Sequence, residues 1–133
     1  MSEKNLWGSI PKIDVKPPVV ILREQAAMLG QMTDNVLEGR VRQVMAAPGQ
    51  DLSYILDIIA PALDRYYYSV LQVDHKVAPF YPLQVTLQIS DKTFVGRDEA
   101  EFVDILSRFL SSEQVQQVIA SLLVQSTALE QAA

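Results

Sequence analysis

The chain contains no cysteine and only one histidine, His75. The first absence excludes a disulfide framework and thiol chemistry. The two together leave too few soft ligands for a structural zinc site. Glycine is scarce, and none of the five sits in a Gly-x-x-x-x-Gly-Lys phosphate loop. No Gly-x-Ser-x-Gly elbow marks a nucleophile. No apolar run approaches the ~20 residues needed to cross a bilayer, and no membrane association is expected. The start, Met1-Ser2-Glu3-Lys4-Asn5, lacks the basic and apolar segments of a signal peptide. A soluble cytoplasmic protein is the expectation. No cofactor is implied.

Positive charge is also missing from one part of the chain. The net charge is −5. Residues 1–97 hold ten bases and ten acids, whereas residues 98–133 hold six acids against Arg108 alone. An acidic block repels phosphate backbones, so nucleic acid is not an expected partner. Arg40 and Arg42 are too few for a basic patch.

What remains is an ordinary globular composition, 49% hydrophobic and 20% charged over 133 residues. That length reads as a single domain able to build its own core. The hydrophobic pattern centres on 52–89. Leu52, Tyr54, Leu56 and Ile58 share one side of an extended run, and Ile55 and Ile59 share the other. Side chains alternate faces along a strand, so this run expects cover on both. The next strand, 65–73, carries Tyr66, Tyr67 and Tyr68 among β-formers. In 83–89, Leu83, Val85, Leu87 and Ile89 alternate with Gln84, Thr86, Gln88 and Ser90. Strict alternation with short connections predicts an antiparallel sheet with one wet face. A first strand is expected over 36–46, where Gly39 marks a bulge or a close backbone approach. Segment 90–96 reads as a loop with Phe94 and Val95 turned inward.

Three helices complete the pattern. Pro17-Pro18 opens one at 18–32, with Leu22, Ala26 and Leu29 as its stripe and Asp34-Asn35 as the turn after it. Asp98 and Glu101 form a capping pattern for a helix over 99–110, with stripe Phe102, Leu106, Phe109 and Leu110 and with Val103 beside it. Ser111 and Gln114 repeat that pattern for a last helix, with Val115, Val118, Ile119, Leu122 and Leu123 inward. Residues 127–133 are expected to fray. The predicted fold class is therefore α+β, a four-stranded antiparallel meander preceded by one helix and followed by two.

Residues 1–17 form an extended arm with Leu6, Trp7, Ile10, Ile13 and Val15. An arm this apolar should dock. Its own domain is the first expectation, with Ile13 and Val15 as an edge strand, and a second subunit is the next.

The chemical candidates are few. Asp57 interrupts an apolar strand. A carboxylate there needs a partner, and a cross-strand pair with Arg40 or Arg42 is expected. His75 follows Asp74, but neighbours on a strand point to opposite faces, so a surface histidine is expected. The tyrosines are sheet residues by default. The leading functional reading is a small non-enzymatic protein-interaction module, as an adaptor, inhibitor, immunity factor or chaperone would be. It would self-associate or hold another protein through Trp7, Ile10, Ile13 and the apolar sheet face at Ile55 and Ile59. The alternative is a binder of a small apolar ligand in a cavity between sheet and helices lined by Tyr54, Tyr66 and Tyr68. An enzyme built on Asp57, His75 and a tyrosine is third.

Overall fold

A computed structural model describes residues 3–132 of the chain. Pro17 and Pro18 set the start of helix α1, Pro18–Met32, because the first turn needs no donor there. Ile21, Leu22 and Ala26 are its buried stripe. It ends at Thr33, whose hydroxyl donates to Leu29 O at 2.9 Å and accepts from Leu37 N at 3.2 Å. Asp34 and Asn35 both take positive φ, the expected turn chemistry.

Five strands follow: β1 Glu38–Val44, β2 Leu52–Ala60, β3 Tyr66–His75, β4 Leu83–Leu87 and β5 Lys92–Gly96. Each pairs antiparallel with the next, in sheet order β1-β2-β3-β4-β5. The meander is thus one strand longer than the sequence pattern suggests. Segment 90–96 is not a loop. Asp91 adopts φ 56°, the chain reverses, and 92–96 pairs with β4. Four of the five β5 side chains are exposed, so no alternation betrays the strand. Phe94 still meets Phe109 edge-to-face at 5.2 Å, while Val95 faces solvent.

Helices α2, Glu99–Leu110, and α3, Glu113–Ala132, close the chain. Asp98 caps α2 by accepting from Glu101 N at 2.8 Å. The cap of α3 is Ser112, which accepts from Val115 N, rather than Ser111, whose hydroxyl turns back to Ser107 O. The 127–133 stretch is helical as far as Ala132, and Ala133 lies outside the described residues.

All three helices lie on one sheet face. Leu56, Ile58, Leu71, Val73, Val85 and Leu87 point to it and form the core with Leu22, Phe102, Leu106 and Val115. Gly39 marks a close approach rather than a bulge. A Cβ there would stand 2.4 Å from Ala26 Cα, so α1 rests directly on β1. The bulge lies in β3. Leu71 pairs with Leu56 and Ser69 with Asp57, which leaves Val70 as the extra residue. Val70 thereby joins Leu71 on the core side, and Ser69 is turned to the face of Asp57.

Candidate functional site

The second sheet face carries no helix, yet it is polar. By strand register it presents Arg40, Asp57 and Ser69 in one row and Arg42, Ile55, Gln72 and Thr86 in the next. Asp57 is fully buried on it. Its Oδ2 accepts from Arg40 Nη2 and from Arg42 Nε, each at 2.7 Å, and its Oδ1 accepts from the Ser69 hydroxyl at 2.7 Å. Both guanidinium groups sit over the Tyr67 ring, at 5.0 and 5.7 Å. The cross-strand pair expected for Asp57 is present, and both arginines take part. A carboxylate closed over by two guanidiniums and a hydroxyl is satisfied structure rather than an open reactive group.

This cluster corrects the expectation of an apolar sheet face. Ile59 is only 2% exposed, flanked across the sheet by Glu38 and Tyr67, and Ile55 is half-buried beside Arg42. Ile59 is thus closed to contact, and Ile55 is only partly open.

The buried polar groups of β2 and β3 do not assemble a catalytic set. Ser53 donates to Asp74 on the polar face, and Gln72 also donates to Asp74. His75 pairs in register with Leu52 and points to the opposite side. It is buried, which corrects the expected surface position. Its ring stacks on Tyr54 at 5.9 Å, Phe80 meets its edge, and Nδ1 donates to Lys76 O at 2.8 Å. Phe80 leads to Tyr81, and Tyr81 to Phe102 in the core. Burial pushes the Tyr81 hydroxyl up to about 12, with Glu99 and Asp98 adding to the shift. Among the described residues no three His, Asp or Glu side chains gather as a metal site.

The three tyrosines proposed as a pocket are separated. Tyr66 and Tyr68 line an open groove beside α3, with Gln114, Gln117 and Gln125 opposite. Tyr68 has its hydroxyl pKa raised by burial and by Tyr66. Tyr54 lies four residues along β2 from Ile58, the partner of Tyr68, which is ~13 Å at strand rise.

The apolar surfaces lie elsewhere. The first is a cleft of about 450 Å³ between α1 and the α2–α3 pair. Leu56, Ile58 and Val70 floor it; Ile21 and Leu29 form one wall, and Leu106, Leu110 and Ile119 the other. Asp57 is its only charged lining residue, and its carboxylate turns to the opposite face to meet the arginines. Met28, Met32 and Val103 stand exposed at the rim. The sequence pattern held the signal for this cleft. Met28, Val103 and Leu110 broaden the apolar stripes of two helices beyond what one sheet face covers.

The second apolar surface is the arm. Residues 3–17 form no regular element and do not dock as an edge strand. Leu6, Trp7, Ile10 and Ile13 are 84, 85, 76 and 70% exposed. The arm touches the domain at its base, where Lys16 N donates to Glu99 at 2.9 Å and Lys16 Nζ meets Glu24 at 3.0 Å. Docking on its own domain is therefore corrected. The arm's sequence supplies no strand alternation, and Gly8, Pro11 and Pro17 interrupt pairing.

No helix among the described residues is long and apolar enough to cross a membrane. No protein-family model, curated protein or solved structure matches the chain.

Proposed function

We propose that this chain is a small protein-interaction module that makes its contacts with the N-terminal arm and the helix-side cleft. The observation that carries this reading is the arm. Four large apolar side chains within eight residues stand at least 70% exposed. Isolated exposed apolar residues are ordinary, but a cluster with a tryptophan has the composition of an interface anchor. The acidity of the C-terminal block argues against a nucleic-acid partner.

The test is capture from native extract with the intact chain and with Trp7→Ala. Binding through the arm predicts that Trp7→Ala weakens the captured set by about 2 kcal/mol or more, roughly 30-fold. A partner set indifferent to Trp7 contradicts the reading.

A second reading has its own observation. The cleft's volume and apolar walls suit a small neutral ligand. No cation lines it to hold a carboxylate, so the ligand would be uncharged. Native mass spectrometry of freshly purified protein tests this, and a bare chain mass argues against it.

A further inference from the structure

We propose that the cleft between α1 and α2 receives the N-terminal arm of a second copy of this chain, in a reciprocal two-fold exchange. This rests on the reading of arm and cleft as contact surfaces and names the partner.

Four observations converge on it. The first is chemistry. The arm brings Trp7 and three aliphatics, and the cleft rim offers two methionines, whose unbranched side chains adapt to irregular partners. The second is length. The stretch from Leu6 to Ile13 spans at most ~23 Å when extended, and the α1 wall from Ile21 to Met32 runs ~17 Å. The third is charge. The arm carries Lys4, Lys12 and Lys16 against Glu3 and Asp14, while α2 carries Glu99, Glu101 and Asp104 against Arg108. At the base of the arm the Lys16 backbone N–H donates to Glu99 of α2, and its ammonium meets Glu24 of α1.

The fourth is the junction. Lys16 precedes Pro17, and Pro17 precedes Pro18. Residues before proline are held extended, and Pro17 sits at φ −60° and ψ 146°. The chain makes no tight reversal there. No arm residue lines the cleft of its own domain, and Leu6, Trp7, Ile10 and Ile13 stay exposed, so the arm is available to another copy.

Area favours the reciprocal form. One arm offers roughly 500 Å² of apolar side chain. With the matching cleft surface a single arm falls short of the ~1,200–2,000 Å² of a standard interface, and two reach it. A two-fold axis supplies both contacts at once.

The experiment is light scattering on size-separated full-length chain over a range of concentrations. It compares wild type, Trp7→Ala, Val103→Glu and Met32→Glu. Met32 and Val103 are exposed at the rim, so their substitution leaves the core intact, and circular dichroism verifies folding. The exchange predicts a two-chain mass for wild type and a one-chain mass for each variant. A wild type that stays monomeric, or a dimer that survives any of the three substitutions, overturns the exchange. A monomeric wild type whose captured partners still depend on Trp7 overturns the exchange alone. Partners indifferent to Trp7 overturn the broader reading as well.

Discussion

Asp57 shows how one residue governs a sheet face. Its carboxylate draws Arg40, Arg42 and Ser69 into one cluster, and the guanidiniums in turn cover Tyr67. Removing the carboxylate leaves two arginines to be resolvated and a buried space to be filled. Asp57→Ala is expected to cost about 3 kcal/mol in denaturant unfolding. Arg40→Met should cost clearly less, because Arg42 and Ser69 still satisfy the acid. Equal losses would contradict this division. The pairing was legible in the sequence, because a lone acid in an apolar strand needs a partner and the arginines stand two apart on a neighbouring strand. The burial of Ile59 was not legible, since it depends on which side chains fold over it.

Tyr81 carries the pH dependence. Its hydroxyl is buried, has no protein partner, and is pushed up to about 12 from the ordinary 10 by burial and by Glu99 and Asp98. The unfolded chain thus loses this proton first. Stability from the protonated phenol is complete below pH 10 and falls as pH rises from 10 towards 12. Tyr81→Phe should flatten that alkaline loss in thermal melts. At neutral pH it should leave stability unchanged or raised, because the hydroxyl gains nothing from protein contacts. A loss above ~1 kcal/mol at neutral pH would contradict the assignment.

Among the elements, α1 depends on two small residues. Gly39 lets Ala26 rest on β1, and any Cβ at 39 collides with helix backbone. Gly39→Ala is expected to destabilise the fold by about 1–3 kcal/mol, by lifting α1 or bending β1. Urea midpoints measure it, and an unchanged midpoint would show that the two can part freely. Asp98→Ala should cost about 1 kcal/mol through the lost N-cap of α2. The helices and strands β1 to β4 were readable from period and punctuation. Strand β5 was not, because an edge strand of five residues with four exposed side chains carries no alternation. The bulge at Val70 was equally silent, although it decides that Ser69 faces Asp57.

At the scale of the whole molecule, the α+β architecture follows from the order of the segments, and the position of its apolar surplus does not. The pattern placed that surplus on the free sheet face. The structure places it between α1 and the α2–α3 pair and on the arm. The difference has a physical origin. Strand alternation reports which side chains share a face, but the spacing between helices on a sheet is set by packing that no single segment encodes. Arm residues are likewise easy to recognise as apolar and hard to assign to a destination. Their exposure, with a junction held extended by two prolines, points beyond the chain's own domain.

The most direct measurement is nuclear magnetic resonance on a mixture of two differently labelled copies, one reporting the Trp7 indole and the other the methyl groups of Met28, Met32 and Val103. The predicted result is a set of intermolecular contacts between that indole and those methyls, lost in Val103→Glu. Contacts confined to a single chain, or an indole that meets none of these methyls at any concentration, would contradict it.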